Sequence, residues 1–590
     1  TLCPIQLESW TPKSGRLCDI RFCRANTSKM QSYLHANILL VLESMGGTPS
    51  DFVLEFQQPG NPEHGDLACN AAMQLARHYK RAPKQIAEAI KAGLEALPLD
   101  VNKISAVEIA GPGFLNFRIS NVYLFDALAD ILSAGPSFGH TYVGTGKRAL
   151  VEFVSANPTG PLTVGHGRNA VLGDTIARLL QWTGYEVERE YYFNDAGRQM
   201  RVLGESVRAR YMAELNPLIA TKMIGEGDDK VEVPEPFPED GYLGAYIADI
   251  ARELISSSEE IKIEDTDRFK QAAEHKIFAE IGATLKRMGI HMDSFFNERS
   301  LYESGQIWEI IERFRKKDLA YDKDGAVWLR TTAFGKEQDT VLVKSTGEPT
   351  YRLPDIGYHI EKLERGFDRV VDVFGADHIA TFPDVVEGVR ALGYDADRIE
   401  VVIYQFVTLV RSGQPVKMST RKATYVTLDE LMDEVGEDVT RFFFLMRSPN
   451  THLEFDLDLA KEASDTNPVF YLQYAHARIQ SILRKADEIG MSIDGEVELS
   501  LLTHDTEIVL IKTLMGLPMQ ISRAAELSEP HRLANFLREV AVAFTQFYGN
   551  CRIIGEAENL ARARMLLATA TAQVLKNGLG VLGISAPDRM

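Results

Sequence analysis

The feature that most constrains this fold is a loop rich in Gly and Pro, residues 155–168, which joins a strand pattern to a helix pattern. Ala149–Val154 is a short run of β-favouring residues, and a helical pattern extends from about Arg168 to Trp182. The loop reads SANPTGPLTVGHGR, and its glycines let the backbone approach a ligand closely. The free N–H groups at the start of the next helix favour an anion. The pattern therefore predicts a strand–loop–helix unit with an anion site.

Strand and helix patterns continue to alternate beyond this unit. Further strand patterns occur at Glu186–Phe193, Arg369–Phe374 and Glu400–Val410. This alternation is typical of a parallel, doubly wound, Rossmann-like α/β sheet. The stretch from about 200 to 300 interrupts it with mostly helical, partly acidic sequence. We interpret that stretch as an insertion.

Two smaller regions flank the predicted sheet. Residues 30–145 combine helical patterns at Asn70–Tyr79 and Pro83–Leu94 with strands at Ser105–Ile109 and Phe114–Ile119, and a Gly-Pro-Gly turn separates the strands. These patterns predict a small N-terminal α/β domain. After about residue 456 the sequence predicts an all-α helical bundle, with amphipathic helices at Pro468–Ile489, Glu507–Leu527, Pro530–Cys551 and Leu560–Gly578. The predicted domains are therefore 30–145, 146–455 and 456–590.

The first 29 residues are interpreted separately. They begin without Met, contain three of the five cysteines and show no helical or strand periodicity, whereas a helical pattern begins at Met30. We expect residues 1–29 to be a non-native or disordered leader. A cleaved targeting peptide is the alternative, which the lack of an apolar segment disfavours.

Composition narrows the class of protein. The five cysteines have no metal-site spacing, which indicates a reducing compartment and no zinc site or disulfide framework. No apolar run approaches the roughly 20 residues that span a bilayer, so we expect a cytoplasmic protein without a membrane partner. The net charge of −19 disfavours a nucleic-acid partner, although binding depends on where the charges lie.

A second loop, about 250 residues after the first, also carries chemistry. PVKMSTRK (415–422) contains three cations and two hydroxyls. Charge runs of this kind are usually solvated loops. The other interpretation is a loop that closes on ATP, because phosphoryl and nucleotidyl transfer need positive charge on the developing pyrophosphate.

The two loops together resemble the HIGH and KMSKS motifs of class I aminoacyl-tRNA synthetases, here Thr163–His166 and Lys417–Arg421. Longer stretches resemble arginyl-tRNA synthetases of the bacterial type, including VEFVSANPTGPLTVGHGR (151–168), YYFNDAGRQM (191–200) and FDLDLAKEASDTNPVFYLQYAHARI (455–479). The resemblance implies activation of L-arginine by ATP with Mg²⁺, transfer to the 3′ end of tRNA(Arg), and adenylate formation that requires bound tRNA. It implies no protein-bound metal, and we expect a monomer.

The resemblance also assigns most of the site residues, to which we add Glu298 as a second carboxylate and His378 because it follows a strand where doubly wound sheets bind ligands. The predicted catalytic residues are Thr163, His166, Lys417, Ser419 and Arg421. The predicted ATP-binding residues are Pro158, Gly165, His166, His378, Lys417 and Met418, and the predicted arginine-binding residues are Glu152, Asn157, Glu298, Tyr351 and Asp355. The predicted tRNA-binding residues are Phe114, Asn116, Tyr471, Tyr474, Arg478, Tyr548 and Met590. Carboxylates and an aromatic face suit a planar, cationic guanidinium, and exposed aromatics beside an arginine suit unstacked bases. Without the resemblance, Asp355 would be interpreted as a surface acid and the aromatic stripe of 471–478 as core.

Two positions depart from the family pattern. Thr163 replaces the usual first His of HIGH, and Thr420 replaces the second Lys of KMSKS. A Thr hydroxyl can still donate to phosphate, and Lys417 and Arg421 keep the positive charge.

The alternative functions are a cysteinyl or glutaminyl synthetase, a small-molecule nucleotidyltransferase, a non-catalytic tRNA-binding protein and an inactive paralogue. Buried carboxylates left unpaired by other amino acids would provide discrimination without an editing domain.

Overall fold

The computed structural model describes residues 29–57, 59, 61–195, 197–225, 230–257, 261–416, 426–493 and 495–590. Apart from Lys29, the expected leader lies outside these residues. The chain forms two compact units, which divide between Ala129 and Asp130. Within the described ranges, none of the helices combines the length and the apolar character needed to cross a membrane.

The first unit packs helices against one antiparallel sheet. Its strands lie in the order β1-β2-β4-β3 and are β1 (Phe56–Gln57), β2 (Leu67–Cys69), β3 (Ile104–Ala110) and β4 (Phe114–Ile119). Its helices are α1 (Lys29–Ser44), α2 (Ala71–Gln74), α3 (Ala76–Tyr79), α4 (Pro83–Ala96) and α5 (Asn121–Ala134), the last of which continues across the division. The predicted β3–β4 hairpin is confirmed. The helical pattern predicted at 70–79 is confirmed as two short helices, α2 and α3, which Leu75, with φ −87° and ψ −1°, separates.

The second unit is built on a sheet of five parallel strands. Their order is β14-β13-β5-β6-β9, and the strands are β5 (Arg148–Glu152), β6 (Glu186–Phe193), β9 (Ser294–Asn297), β13 (Arg369–Gly375) and β14 (Ile399–Tyr404). The central strand β5 carries the buried apolar run Ala149–Val151, as expected where both faces of a doubly wound sheet are covered. The chain runs from β5 through α6 (Val164–Trp182) to β6 on one side, whereas β13 lies on the other. The predicted sheet type is confirmed, and its switch point lies at the carboxyl end of β5.

The strand predicted at 400–410 is wrong as one element. The structure divides it into β14 and β15 (Val407–Arg411). Strand β15 belongs to another sheet, in which it lies between β16 (Gln414–Pro415) and β17 (Leu453–Asp456). The break lies at Gln405, whose N–H donates to the Pro449 carbonyl at 3.0 Å. Its carbonyl accepts from the Arg168 guanidinium at 2.6 Å. Because the N–H and the carbonyl of Gln405 both bond to groups outside the parallel sheet, the strand cannot continue through this residue.

The remaining elements of the parallel-sheet region surround this core. The strands are β7 (Thr221–Ile224), β8 (Val231–Pro234), β10 (Ala320–Lys323), β11 (Ala326–Leu329), β12 (Thr340–Val343), β16 (Gln414–Pro415) and β17 (Leu453–Asp456). The helices are α7 (Gly197–Leu215), α8 (Ala245–Ser256), α9 (Thr266–Arg287), α10 (Arg299–Glu303), α11 (Gln306–Lys316), α12 (Arg352–Glu364), α13 (Phe382–Ala391), α14 (Leu428–Val435), α15 (Glu437–Leu445) and α16 (Leu457–Lys461). The predicted 200–300 insertion corresponds to α7–α9 and the β7–β8 hairpin, after which β9 returns to the sheet.

The C-terminal part of this unit is a helical bundle. Its helices are α17 (Pro468–Glu488), α18 (Asp505–Leu514), α19 (Leu517–Glu526), α20 (His531–Asn550) and α21 (Glu558–Val581). The predicted helix at 507–527 is in fact α18 and α19, because Pro518 in the first turn of α19 has no N–H to continue α18. The buried Arg441 fastens the bundle to the sheet domain. Its guanidinium donates to the Leu582 carbonyl at 3.0 Å and to the Asp174 carboxylate at 2.6 Å.

Candidate active site at the carboxyl edge of the parallel sheet

The turn after β5 is strained and held in place by α6. Val154 and Ser155 have φ values of 65° and 44°, a region that a β-branched residue rarely adopts. The Val154 N–H donates to the Asn169 Oδ1 at 2.5 Å, and the Asn169 Nδ2 donates to the Val373 carbonyl at 2.8 Å. Strain of this kind costs about 1–3 kcal/mol and is concentrated at functional sites. Asn169 therefore joins β5, α6 and β13 at one edge.

The start of α6 presents a neutral histidine with a defined tautomer. The helix begins four residues before the predicted start, with Thr163 as its N-cap. The Thr163 N–H donates to His166 Nδ1 at 3.1 Å. Because Nδ1 accepts, the ring proton lies on Nε2, and burial lowers the pKa of His166. A Cβ at Gly165 would meet only the Thr163 hydroxyl, at 3.7 Å. The turn thus offers Nε2–H and open backbone to an anion.

The predicted second loop lies outside the described residues, including Lys417, Met418, Ser419, Thr420 and Arg421. Both flanks of the 417–425 segment are described. On the preceding side the Val416 N–H donates to the Leu409 carbonyl at 2.8 Å. On the following side, Thr427 forms an antiparallel bridge with Thr163, and the Leu428 N–H donates to the Leu162 carbonyl at 2.8 Å. The chain that returns from this segment is therefore hydrogen-bonded to the start of the His166 turn.

An acidic pocket occupies the same edge of the sheet. Glu298, 8% exposed, accepts from the Tyr192 hydroxyl at 2.6 Å and from the Tyr302 hydroxyl at 3.3 Å. Asp355 lies in the first turn of α12. Burial raises the pKa of Asp355 to about 7, and the negative charges of Glu152 and Glu298 add to this effect. Within the described ranges, neither Glu298 nor Asp355 forms an ion pair with Lys or Arg, so the pocket suits a cationic ligand.

Glu152, at the end of β5, belongs to a buried ionic network. The Lys362 Nζ donates to Glu152 at 2.5 Å and to Asp372 at 2.6 Å, and His359 Nε2 lies 3.0 Å from Asp372. Burial raises the pKa of Glu152. Burial would also raise that of Asp372, but Lys362 and His359 lower the Asp372 pKa well below its ordinary range. The Ser155 hydroxyl occupies the other Glu152 oxygen at 2.9 Å. The network therefore orients the Glu152 carboxylate.

The other residues predicted to bind ATP or arginine differ in their exposure and in their contacts. Asn157 accepts from the Asn194 N–H at 3.1 Å and donates to Gln199 at 3.0 Å, whereas Pro158 is buried in the same loop. Tyr351 is the N-cap of α12 and is 83% exposed, so it is not part of the buried wall of the acidic pocket. His378 follows β13 and stacks on Phe374 with the ring centroids 5.0 Å apart.

The residues predicted for tRNA are partly assembled. On the bundle surface, Arg478 lies between two exposed rings, with its guanidinium 5.1 Å from the Tyr474 centroid and 5.0 Å from that of Tyr548. Tyr471 lies one turn before Tyr474, and its hydroxyl lies 3.0 Å from the Thr545 hydroxyl. Met590 is exposed. The Tyr474–Arg478–Tyr548 cluster thus has the composition of a base-stacking surface.

The two residues of the N-terminal domain that the resemblance assigns to tRNA differ in exposure. Phe114 is half-buried at the start of β4. Asn116, two residues on, is only 4% exposed, and its Oδ1 has no hydrogen-bond partner among the described residues. The Asn116 amide is therefore not accessible to RNA in this conformation.

Several site residues are absent from the sequence prediction. Tyr192 and Tyr302 hold Glu298, while Lys362 pairs with both Glu152 and Asp372, and His359 contacts Asp372. One signal was available. Asp372 interrupts the apolar run of β13, and a charge in a strand buried on both faces requires a partner. The tyrosines gave no such signal, because aromatic residues in a strand, as at Tyr192, or in a helix, as at Tyr302, are usual core residues.

Comparison with known proteins covers nearly the whole described chain. Residues 32–119 match the arginyl tRNA synthetase N terminal domain, residues 128–450 the catalytic domain of class I (R) tRNA synthetases, and residues 472–590 the DALR anticodon binding domain. The chain is 57% identical to the arginine–tRNA ligase of Salinibacter ruber, over 95% of this chain and all of that one. It is 50% identical to that of Desulfotalea psychrophila, over 90% and 94% of the two chains.

A solved structure supports the same fold. The arginyl-tRNA synthetase of Thermus thermophilus superposes with a TM-score of 0.71 at 22% identity, over 94% of this chain and 99% of that one. Identity, coverage and the match of all three domain families agree. The chain therefore belongs to the arginyl-tRNA synthetase family.

Proposed function

We infer that the chain attaches L-arginine to tRNA(Arg) in two steps and releases AMP and pyrophosphate. The observation that carries this inference is the acidic pocket of Glu298 and Asp355, which lies at the same sheet edge as the His166 turn. An amino acid with a cationic side chain could place its guanidinium among the carboxylates and its carboxylate toward the anion site. Family membership identifies that amino acid as arginine.

In the first step, a carboxylate oxygen of arginine attacks the α-phosphate of ATP. The new O–P bond forms as the bond to the β-phosphate breaks, which gives arginyl-adenylate and pyrophosphate. His166 Nε2–H donates to a phosphate oxygen, and Thr163, Pro158 and Gly165 form the wall of the turn. This role suits a neutral ring whose Nδ1 accepts from the Thr163 N–H. Such preorganised donors stabilise charge that develops in the transition state.

Lys417, Ser419 and Arg421 are assigned to the pyrophosphate side, with Met418 and His378 beside the nucleotide. These roles follow from the resemblance to the family, except that of His378, which follows from its place after β13. The hydrogen bonds of Thr427 and Leu428 to the His166 turn support them, since the segment that contains Lys417 returns directly to that turn. Mg²⁺ enters with ATP as part of the substrate.

Separate groups of residues recognise the two ends of the arginine substrate. Glu298 and Asp355 bind the guanidinium, which presents its donors in a planar fork. Glu152 and Asn157 bind the α-amino end, and Tyr351 is assigned to the guanidinium on the family pattern alone. A smaller or neutral amino acid would leave Glu298 and Asp355 without partners in a largely buried pocket, and the resulting penalty provides specificity.

In the second step, the terminal ribose hydroxyl of tRNA attacks the activated carbonyl and displaces AMP. The tRNA is held far from this chemistry by the Tyr474–Arg478–Tyr548 cluster, with Tyr471 and Met590 in the same part of the bundle. Phe114 is the N-terminal contact. We expect a monomer that works in the cytoplasm, and sedimentation of the purified chain tests the oligomeric state.

The test is ATP–pyrophosphate exchange with each of the twenty amino acids, with and without total tRNA. We expect exchange with arginine alone, and only when tRNA is present. Exchange with another amino acid would contradict the substrate. Binding of tRNA without any exchange would instead indicate a non-catalytic tRNA-binding protein.

A further inference from the structure

A second cavity lies where the parallel-sheet region meets the helical bundle, and none of its lining residues belongs to the proposed active site. Its volume is about 290 Å³. Its walls come from the end of α15 and the loop that follows, and from the first turns of α17 and α20. Helix α15 packs against both α17 and α20. We call this space the junction cavity.

The lining of the junction cavity is positively charged. Arg447, Arg538 and His531 line it, and its described lining includes no Asp or Glu, in a chain with 83 acidic residues and a net charge of −19. Neither arginine forms an ion pair or a hydrogen bond with another described residue. Other arginines of the bundle do, since Arg523 lies 2.7 Å from Glu526. An anion in the cavity would therefore have no existing ion pair to break.

His531 contributes a polar atom that lacks a partner. Its Nδ1 is shielded from solvent and has no hydrogen-bond partner among the described residues. Buried polar atoms are normally hydrogen-bonded, and the exceptions require an explanation. An anion oxygen in the cavity accepts a hydrogen bond from Nδ1 when that nitrogen carries the ring proton. A bound anion would thus complete the contacts of His531.

Two helix N-termini add to the positive potential. Helix α17 begins at Pro468 and α20 begins at His531, and neither has an acid in its first turn. The N-terminal end of a helix carries a partial positive charge and favours anions. Two acids, Asp465 and Glu539, line a neighbouring groove that shares Arg538, but neither forms an ion pair with it.

The loop after α15 keeps several of its carbonyl oxygens out of the junction cavity. The carbonyls of Ser448 and Thr451 accept from the buried Arg168 guanidinium at 3.1 and 3.0 Å. The Pro449 carbonyl accepts from the Gln405 N–H at 3.0 Å. Neither donor residue lines the cavity. Because these oxygens are directed toward the sheet region, their partial negative charge does not oppose an anion.

We propose that the junction cavity binds one phosphate group through Arg447, Arg538 and His531. Guanidinium groups match the geometry of phosphate oxygens and form charge-assisted hydrogen bonds with them. The volume lies at the lower end of the range for ligand pockets, about 300–1,000 Å³, which suits a single phosphate better than a whole nucleotide. Free inorganic phosphate and one phosphodiester of an RNA share this chemistry, and their effects on tRNA binding separate the two sources.

An occupied junction cavity would connect two regions of the chain. Arg447 follows α15 of the parallel-sheet region, whereas Arg538 lies on α20 of the bundle. An anion bound by both arginines stabilises the contact between these regions. Because a ligand that binds only the folded state raises its stability, the Tm of the protein should rise with phosphate at constant ionic strength.

The test compares two full-length variants with the wild type. The junction variant carries Arg447→Gln and Arg538→Gln. The control variant removes the same charge through Lys262→Gln and Lys316→Gln, two exposed residues of the same unit. All four side chains lie at the surface, and circular dichroism melting checks that both variants fold.

The measurement is calorimetric titration with inorganic phosphate, at an ionic strength held constant with chloride. We expect the wild type to bind phosphate at the junction cavity with a Kd of about 1 mM, and the junction variant to bind it about tenfold more weakly. The control should match the wild type in both Kd and Tm shift. Phosphate that binds at the His166 turn contributes equally to all three proteins and cancels in the comparison.

Binding of tRNA(Arg) transcript distinguishes the two sources of the phosphate. If the natural occupant is an RNA phosphodiester, phosphate will compete with tRNA in the wild type, and the junction variant will bind tRNA more weakly. If the occupant is free phosphate, phosphate and tRNA will bind together, and the junction variant will keep the wild-type affinity for tRNA. Both results support the phosphate site.

Two results would overturn the proposal. One is phosphate binding by the junction variant that is as tight as in the wild type. The other is an equal loss in the control, which would indicate a general effect of net charge. If the junction variant does not fold, wild-type crystals soaked in tungstate decide, since density between Arg447 and Arg538 is expected and an empty cavity would contradict the site. The titration uses neither arginine nor ATP, so failure of arginylation would contradict the proposed function alone.

Discussion

Replacing Asp355 by Asn should weaken arginine binding and stabilise the protein at the same time. The pKa of Asp355 is raised from 3.8 to about 7 by burial and by neighbouring carboxylates. This difference corresponds to about 4 kcal/mol of ionisation free energy. The direction of the pH effect on stability follows from the difference in proton binding between the folded and unfolded chains. Between about pH 4 and pH 7 the unfolded chain releases this proton and the folded chain retains it, so that stability falls as pH rises through this window.

The Asn variant lacks this ionisation. Its free energy of unfolding in urea should exceed that of the wild type by up to about 4 kcal/mol at pH 8, and the difference should vanish below about pH 4. Loss of one charged partner for the guanidinium should cost about 3 kcal/mol, which is roughly a hundredfold increase in the KM for arginine.

The assay combines urea unfolding from pH 4 to pH 8 with exchange kinetics in the presence of tRNA. The exposed Asp51 provides the control, since Asp51→Asn should match the wild type in both measurements. The reasoning would be refuted if the Asp355→Asn variant were less stable at pH 8, or if its KM for arginine were unchanged.

Three further substitutions test separate parts of the site. Lys362→Met should lower the free energy of unfolding by about 3–5 kcal/mol in urea, because it leaves Glu152 buried without its cation; a loss under about 1 kcal/mol would contradict the network. Tyr192→Phe removes one donor to Glu298 and should raise the KM for arginine about tenfold while the Kd for tRNA stays constant; a change in tRNA affinity alone would contradict this role. Arg478→Ala should raise the KM for tRNA about tenfold with unchanged KM values for arginine and ATP, and an effect on all three would indicate a structural role.

Much of the fold could be predicted because its signals are local. Alternation of apolar strands and helices predicted the parallel sheet, and β6 begins and ends at the predicted residues. The errors arose where distant groups decide the backbone. The strand at 400–410 breaks at Gln405 because Arg168, more than 200 residues earlier, takes its carbonyl. No local pattern contains that interaction.

The site was predictable where the family motifs name residues, and less so where geometry matters. Asp355, named by the resemblance, and Glu298, predicted as a second carboxylate, lie close enough for the charge of Glu298 to raise the pKa of Asp355. The tyrosines that hold Glu298 and the Lys362 network that holds Glu152 depend on packing between β5, β6, α12 and β13. This packing forms only when the strands assemble into the sheet. Each of these residues, taken alone in the sequence, has an ordinary structural interpretation. Asn116 is likewise buried only in the folded domain, where its strand β4 lies between β2 and β3.

The most direct test of the account is a crystal structure with tRNA and a non-hydrolysable arginyl-adenylate analogue. The account predicts that the guanidinium lies within hydrogen-bonding distance of Glu298 and Asp355 while a phosphate oxygen accepts from His166 Nε2. An analogue bound with its guanidinium away from both carboxylates, or with its phosphate out of reach of His166, would contradict it.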